Sequence, residues 1–186
     1  MTAQVTTAIL WKGAIVFALA DLVLLVLLLC LLPPKRFFGL RRWVPPCAFL
    51  VWFGIWLGCA VIFWEPVYAH LFPAWSRWLL PPAMGLLFAS LSRVMWRLAW
   101  RWSLPPALTF VLLGAALGPL THLWGLTRGL MDKPPMLQGA SPAAALAVAA
   151  PEFGFYFGVI LLLAYFIARA KAPSTPARSP SPGGTT

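Results

Sequence analysis

Residues 13–32, GAIVFALADLVLLVLLLCLL, establish the class of fold. One charged residue, Asp21, interrupts this run, which lies directly behind Lys12. A hydrocarbon core about 30 Å thick requires about 20 apolar residues as helix, because every backbone N–H and C=O must be satisfied within the segment. The run is too long for the core of a secretion signal, and it lacks a small-residue cleavage site. It therefore predicts a retained membrane-spanning helix.

The composition of the chain agrees with a membrane environment. Of the 186 residues, 61% are apolar and 10% are charged, and the mean hydropathy is +0.85. Soluble domains are roughly half apolar and a quarter charged. The 11 tryptophans are typical of a protein with two membrane interfaces. The net charge of +10 is spread between apolar runs, which argues against nucleic-acid binding.

Five windows are long and apolar enough to cross a bilayer, so we predict an all-α polytopic transmembrane bundle over residues 1–171. The predicted spans are about 8–32, 44–64, 79–96, 104–126 and 151–168. Three of them begin with a Pro-Pro step, at 45–46, 81–82 and 105–106, and proline is tolerated in a first helical turn.

Two further segments are predicted from their composition. Ser141-Pro142 resembles another helix start, which suggests the hypothesis that 142–150 is a separate short interfacial helix covering an outer cavity. The tail, residues 172–186, is rich in Pro, Ser, Gly and Thr. It is too poor in apolar residues to form a core and is predicted to be a disordered cytoplasmic tail.

Basic residues indicate the orientation, because cytoplasmic loops retain Lys and Arg. With the amino terminus outside, ten basic residues fall inside and four outside. The inside set is Lys35, Arg36, Arg41, Arg42, Arg93, Arg97, Arg101, Arg169, Lys171 and Arg178, and the outside set is Lys12, Arg77, Arg128 and Lys133. We therefore predict an N-out/C-in, multi-pass protein of the cell membrane, and expect the bacterial inner membrane.

Small residues recur one helical turn apart in every predicted span. The pairs are Gly54 with Gly58, Gly114 with Gly118, Gly154 with Gly158 and, more weakly, Ala14 with Ala18 and Gly85 with Ala89. Close approach through small residues supplies helix packing in lipid, where the hydrophobic effect between helices is weak. The pattern predicts a compact bundle, or faces that contact a partner subunit.

Acidic and histidine residues are so few that their positions carry most of the functional information. They are Asp21, Glu65, His70, His122, Asp132 and Glu152. Helical spacing places Glu65 on the face of Gly54 and Gly58, and His122 on the face of Gly114 and Gly118. The catalytic candidates are Glu65, His122, Glu152 and Asp21, and the weaker substrate-binding candidates are His70, Trp64 and Tyr156.

Two of these acids have structural interpretations as well as functional ones. Asp21 falls near the bilayer centre, where inserting an aspartate costs about 3 kcal/mol. It either hydrogen-bonds a neighbouring helix or serves a proton, ion or substrate. Glu152 follows Pro151, so it is either a favourable acid in a first helical turn or part of a site.

Arg93, Arg97 and Arg101 form a basic stripe where the third span leaves the membrane. Such a stripe anchors a helix at the interface. The alternative is a pocket for an anionic lipid head group or a substrate phosphate.

The chain contains no P-loop, zincin helix or nucleophile elbow. The first functional hypothesis is a polar intramembrane site toward the outer leaflet, which binds a lipophilic or small substrate or transfers a proton on it. The second is a non-catalytic structural or assembly subunit of a larger membrane complex. The third is haem or metal ligation through His70 and His122; otherwise no cofactor is expected. The expected partners are membrane lipids, a lipophilic substrate and partner membrane subunits, but not nucleic acid.

Overall fold

The computed structural model describes residues 3–32, 39–130, 134 and 138–171. It contains five α-helices: α1 (Ala3–Leu31), α2 (Val44–Ile62), α3 (Leu80–Arg101), α4 (Pro106–Thr127) and α5 (Pro142–Ala170). Two short 3-10 helices, Tyr68–His70 and Ala74–Trp78, lie between α2 and α3. The described part contains no strand, so the predicted all-helical fold is confirmed. The predicted disordered tail, 172–186, lies outside the described residues.

The surface of the bundle is apolar. Val16 and Val23 of α1 are 64% and 68% exposed, and Ile62 of α2 is 66% exposed. By length and composition, α1, α2, α4 and α5 are all able to cross a membrane. Lipid is the solvent that accommodates such faces, since a soluble protein rarely exposes large contiguous apolar surface. The chain is a multi-pass helical membrane protein.

Helix α5 occupies the centre of the bundle, packed against α4, α1 and α2. It runs parallel to α1, because the contacts advance in the same direction along both helices. Gly13 lies against Val148 near the start of each, and Leu24 lies against Gly158 further along. Two spanning helices run in the same direction only if the chain crosses the membrane an odd number of times between them.

The other neighbours of α5 are antiparallel to it. In α4, Gly114 lies against Phe157, whereas Gly118, one turn later, lies against the earlier residue Ala149. The ring centre of Trp43, directly before α2, lies 4.6 Å from the ammonium of Lys171, directly after α5. Helices α2 and α4 therefore run in the same direction.

Helix α3 joins the end of α2 to the start of α4 and packs against both. Its 22 residues measure about 33 Å at 1.5 Å per residue, enough to return across the bundle. Its composition alone does not mark it as a span, because Arg93, Arg97 and Arg101 lower its hydropathy. The packing nevertheless gives five helices that alternate in direction, in agreement with about five spans.

The helix boundaries correct one prediction. Residues 142–150 do not form a separate helix, since α5 continues from Pro142 to Ala170 with Pro151 inside it. The alanine-rich stretch before Pro151, residues 143–150, favours helix, and the buried Ala145 and Ala149 pack this part of α5 into the bundle. Continuing the helix also keeps its backbone groups paired, apart from the donor that proline lacks. The Pro-Pro steps do mark helix starts, at Val44, Leu80 and Pro106.

Candidate functional site

A polar cluster lies toward the amino-terminal end of the bundle, the end at which α1 begins. Its first two members, Glu152 and Tyr156, lie one turn apart in α5, and the Tyr156 hydroxyl donates a hydrogen bond of 2.9 Å to Glu152 Oε1. Both residues are partly buried. Glu152 is about 15 Å along the helix axis from Pro142, so the carboxylate lies within the bundle rather than at its rim.

Two further members come from elsewhere in the chain. Cys59 lies in the last turn of α2, and Tyr68 opens the first short 3-10 helix. The Tyr68 hydroxyl interacts with the Cys59 thiol, and both lie within electrostatic reach of Glu152. We call Cys59, Tyr68, Glu152 and Tyr156 the polar cluster.

Aromatic rings hold the Tyr68 side of this cluster in place. The Tyr68 ring lies 5.3 Å from the Trp56 ring and 6.3 Å from that of Phe72. Burial among these groups raises the pKa of Tyr68, and the neighbouring Cys59 and Glu152 raise it further. Tyr68 is therefore a neutral hydroxyl, a hydrogen-bond donor, at ordinary pH.

Glu65, Trp64 and His70 lie at the rim of the same end. The Glu65 side chain is 80% exposed, and its carboxylate lies 3.9 Å from the Arg77 guanidinium. Trp64 is buried, and the Arg77 guanidinium lies 5.9 Å from the centre of its ring. His70 is exposed at the end of its short helix. Among the described residues, none of these three is hydrogen-bonded or ion-paired to the polar cluster.

His122 is partly buried on α4, where its Nδ1 lies 3.1 Å from the Gly118 carbonyl oxygen of its own helix. Its ring meets that of Phe153 edge-on at 6.3 Å. Phe153 neighbours Glu152 in sequence but points about 100° away from it around α5. His122 thus lies beside α5 without a hydrogen bond to Glu152.

Asp21 lies on another side of α5 from the polar cluster. Its Oδ2 abuts Gly154 so closely that a Cβ there would collide with it, and Gly154 is about 200° around the helix from both Glu152 and Tyr156. Its Oδ1 is buried and has no hydrogen-bond partner among the described residues. The same residue lines an open apolar cavity of about 560 Å³ between α1, α4 and α5. The structure therefore separates Asp21 from Glu152.

The arginine stripe of α3 lies at the opposite, carboxy-terminal end of the bundle. Arg93 and Arg97 line a cavity of about 410 Å³ together with Arg41 and Arg42 from the turn before α2. Arg101, the third residue of the stripe, is exposed in the last turn of α3 and does not line the cavity.

Sequence reasoning found Glu152 and Tyr156 but missed Cys59 and Tyr68. Cys59 stands inside an apolar run, where a thiol is typical of a small apolar residue, and Pro66 directly after Glu65 leaves the direction of the following chain undetermined by the sequence. One available signal was the rarity of tyrosine, of which the chain has 3. A hydroxyl-bearing ring next to a span is a natural polar partner in lipid.

Within the part of the chain that the structure describes, no three or more His, Cys, Asp or Glu residues are grouped so as to hold a metal ion. Comparison with known protein families, with curated proteins and with solved structures found no match to this chain.

Proposed function

We propose that this membrane protein binds a lipophilic or small substrate at the polar cluster and transfers a proton on it. The observation that carries the proposal is the Tyr156 hydroxyl hydrogen-bonded at 2.9 Å to Glu152 Oε1 within the bundle, with Cys59 and Tyr68 within electrostatic reach of Glu152. Ionisable groups inside a membrane bundle are costly, and they commonly mark substrate or proton pathways.

The chemistry of Glu152, Tyr156 and Tyr68 suits proton transfer. Glu152 is the group that accepts or returns the proton, as carboxylates do in general acid–base catalysis. Tyr156 is a positioning residue, because its hydrogen bond orients the carboxylate. Tyr68 is a neutral donor for a polar atom of the substrate, and the Trp56 and Phe72 rings beside it favour an apolar substrate body.

The orientation predicted from the basic residues places this end toward the outer leaflet, and we propose that the substrate enters from there. We also propose that the protein lies in the inner membrane of a bacterium.

The test compares cells that lack the protein with cells restored by wild type, Glu152→Gln or Glu65→Gln. Glu→Gln preserves size and removes the proton acceptor. Because general acid–base catalysis contributes about 100-fold or more, we expect Glu152→Gln cells to match the deletion in their lipid and small-molecule extracts, measured by mass spectrometry. Glu65→Gln, a rim carboxylate, is the matched control and should restore the wild-type extracts.

Tyr156→Phe and Tyr165→Phe form a second matched pair. Tyr165 accepts a hydrogen bond from exposed Arg169 near the other end of α5, so removing the Tyr165 hydroxyl should leave the extracts unchanged. Tyr156→Phe should instead shift the extracts part of the way toward those of the deletion. Restoration of wild-type extracts by Glu152→Gln would contradict the proposal.

The second candidate function is a structural subunit of a larger membrane complex, and one observation favours it. Among the described residues, no atom lies within 4 Å of a Cβ added at Gly54 or Gly58 of α2. This small-residue face is therefore open, whereas those of α4 and α5 are covered by neighbouring helices. If a partner helix covers it, the protein extracted in mild detergent should run as a larger complex that Gly54→Leu dissociates. A stable monomer in the same detergent would count against this candidate.

A further inference from the structure

Four arginines converge on one cleft at the carboxy-terminal end of the bundle. Arg41 and Arg42 come from the turn before α2, and Arg93 and Arg97 come from successive turns of α3. They meet because α2 and α3 are antiparallel, which brings the start of one beside the last turns of the other. The cleft has a volume of about 410 Å³, within the usual range for small-ligand sites, about 300–1,000 Å³.

No carboxylate of the described residues forms an ion pair with the arginines of this cleft. Across the described residues, the ion pair formed is Arg77 with Glu65 at the opposite end, and none of the four cleft arginines is bonded to an acidic side chain. All four are exposed. Like charges gathered around one cavity repel each other, and a bound anion would relieve that repulsion.

The guanidinium groups are the charged hydrogen-bond donors that this cleft offers. Pro45 and Pro46 lack an N–H, and the flanking amides of α2 are already used, since Val44 N–H donates to the Leu40 carbonyl at 3.1 Å and Cys47 N–H to the Trp43 carbonyl at 3.0 Å. The start of α2 therefore provides no free backbone donor for an anion.

The buried Ser92 hydroxyl is also committed, because it donates to the Ala89 carbonyl at 2.7 Å. The arginine side chains are therefore the charged groups that this cleft offers to an anion. Guanidinium groups bind tetrahedral oxyanions such as phosphate in a bidentate manner.

The walls of the cleft are apolar. Trp96, Val44, Pro45 and Pro46 line it between the arginines, and Trp96 is 3% exposed. The combination of an apolar wall and a basic rim suits a phosphate attached to an apolar body. The cleft lies at the carboxy-terminal end of the bundle, which the basic residues predict to be the cytoplasmic side of the membrane. Anionic lipids are enriched on that side.

We propose that this cleft is a binding site for a phosphate group, held by Arg41, Arg42, Arg93 and Arg97. The phosphate belongs either to an anionic lipid head group or to a free phosphate. The site is distinct from the polar cluster at the other end of the bundle.

The experiment measures binding to the purified full-length protein in a neutral detergent by native mass spectrometry and calorimetry. The probes are inorganic phosphate, a short-chain phosphatidylglycerol and a short-chain phosphatidylcholine. The cleft variant is Arg93→Gln with Arg97→Gln. Its matched control is Arg101→Gln with Arg169→Gln, which removes the same charge from the same end of the bundle outside the cleft.

We expect wild type to bind phosphatidylglycerol more tightly than phosphatidylcholine, because four arginines repel the choline cation. The cleft variant should lose at least about tenfold in affinity, since each hydrogen bond to a charged group is worth about that factor. The control pair should lose no more than about twofold. A further variant, Arg93→Lys with Arg97→Lys, retains the charge and should give an intermediate affinity, because an ammonium cannot form the bidentate contact.

The probes distinguish the two sources of phosphate. Displacement of phosphatidylglycerol by inorganic phosphate supports a site for phosphate itself, and binding of the lipid alone supports a head-group site. Equal losses of affinity in the cleft and control variants would show that only the overall surface charge matters, and would overturn the proposal. It would also be overturned if neither phosphatidylglycerol nor inorganic phosphate bound.

Discussion

Gly118 shows how a single hydrogen atom in place of a side chain sets the distance between two helices. A Cβ at Gly118 would collide with the Ala149 backbone oxygen, and one at Gly114 would approach the Phe153 carbonyl oxygen to 2.9 Å. These obstacles are backbone atoms, which cannot rotate away as a flexible side chain can. Close contact between α4 and α5 therefore depends on the absence of side chains at both positions.

We predict that Gly118→Ala lowers the free energy of unfolding by about 1–3 kcal/mol, the usual cost of overpacking. Gly54→Ala is the matched control, because it changes the same residue type within a span where nothing lies within 4 Å. It should be neutral or slightly stabilising, since alanine favours helix over glycine. Thermal unfolding in detergent, followed by circular dichroism, measures both, and equal transition temperatures for the two variants would contradict the packing described.

Among the helices and their connections, Arg77 closes the end of α2. Its Nε donates a hydrogen bond of 2.8 Å to the Ala60 carbonyl, one of the carbonyls that a helix end leaves without an intrahelical partner. Its guanidinium also lies over the Trp78 ring at 5.1 Å. A residue from the 3-10 helix before α3 thereby ties the connecting segment to α2, near the segment that carries Tyr68.

We predict that Arg77→Gln lowers the stability by about 1–2 kcal/mol, because it removes a charged donor from a partly buried carbonyl. Glu65→Gln breaks the exposed ion pair with the same arginine and should cost less than about 1 kcal/mol. Chemical unfolding in mixed micelles compares the two. A larger loss for Glu65→Gln than for Arg77→Gln would show that the ion pair, rather than the hydrogen bond to α2, holds the segment.

Across the bundle as a whole, the alternating directions of the helices require α3 to cross the membrane although its composition does not identify it as a span. The parallel pairing of α1 with α5 is the reason. With four crossings, α1 and α5 would run in opposite directions. The arginines of α3 are compatible with a crossing because they lie in its last turns, at the carboxy-terminal end of the bundle.

We predict that cysteines at the two ends of α3 are labelled from opposite sides of the membrane. Trp75→Cys and Trp102→Cys, each in a chain whose Cys30, Cys47 and Cys59 are replaced by serine, report on these ends, since Trp75 and Trp102 are 72% and 49% exposed. A membrane-impermeant maleimide applied to intact cells should label the first variant and, after permeabilisation, both. Labelling of both variants in intact cells would mean that α3 does not cross.

Much of the architecture was predictable because lipid imposes a simple rule on sequence. A span must be apolar and about 20 residues long, so residues 13–32 identified a helix without knowledge of its neighbours. Pro45-Pro46 and Pro81-Pro82 marked helix starts because proline is acceptable where no donor is needed. The end of α3 was placed too early, at 96, because the criterion was hydropathy, whereas the helix continues to Arg101.

The sites were less predictable because they are made by contacts between distant residues. Glu152 and Tyr156 could be named from the sequence, since they lie one turn apart in one helix. Cys59 and Tyr68 join them only through the packing of α2 on α5 and the fold of the segment beyond Pro66. Arg41 and Arg42 join Arg93 and Arg97 only because α2 and α3 are antiparallel.

The order of residues alone was enough to establish that hydrocarbon surrounds this chain, about how many helices cross it and where most of them begin. Those properties depend on local composition, which each segment satisfies alone. The packing of the helices decides which of the few polar groups are neighbours. It separates Asp21 from Glu152 and brings four arginines to one cleft. The reason is that side-chain packing between segments sets the direction and rotation of each helix, and the hydropathy of a single segment does not indicate which residues it packs against.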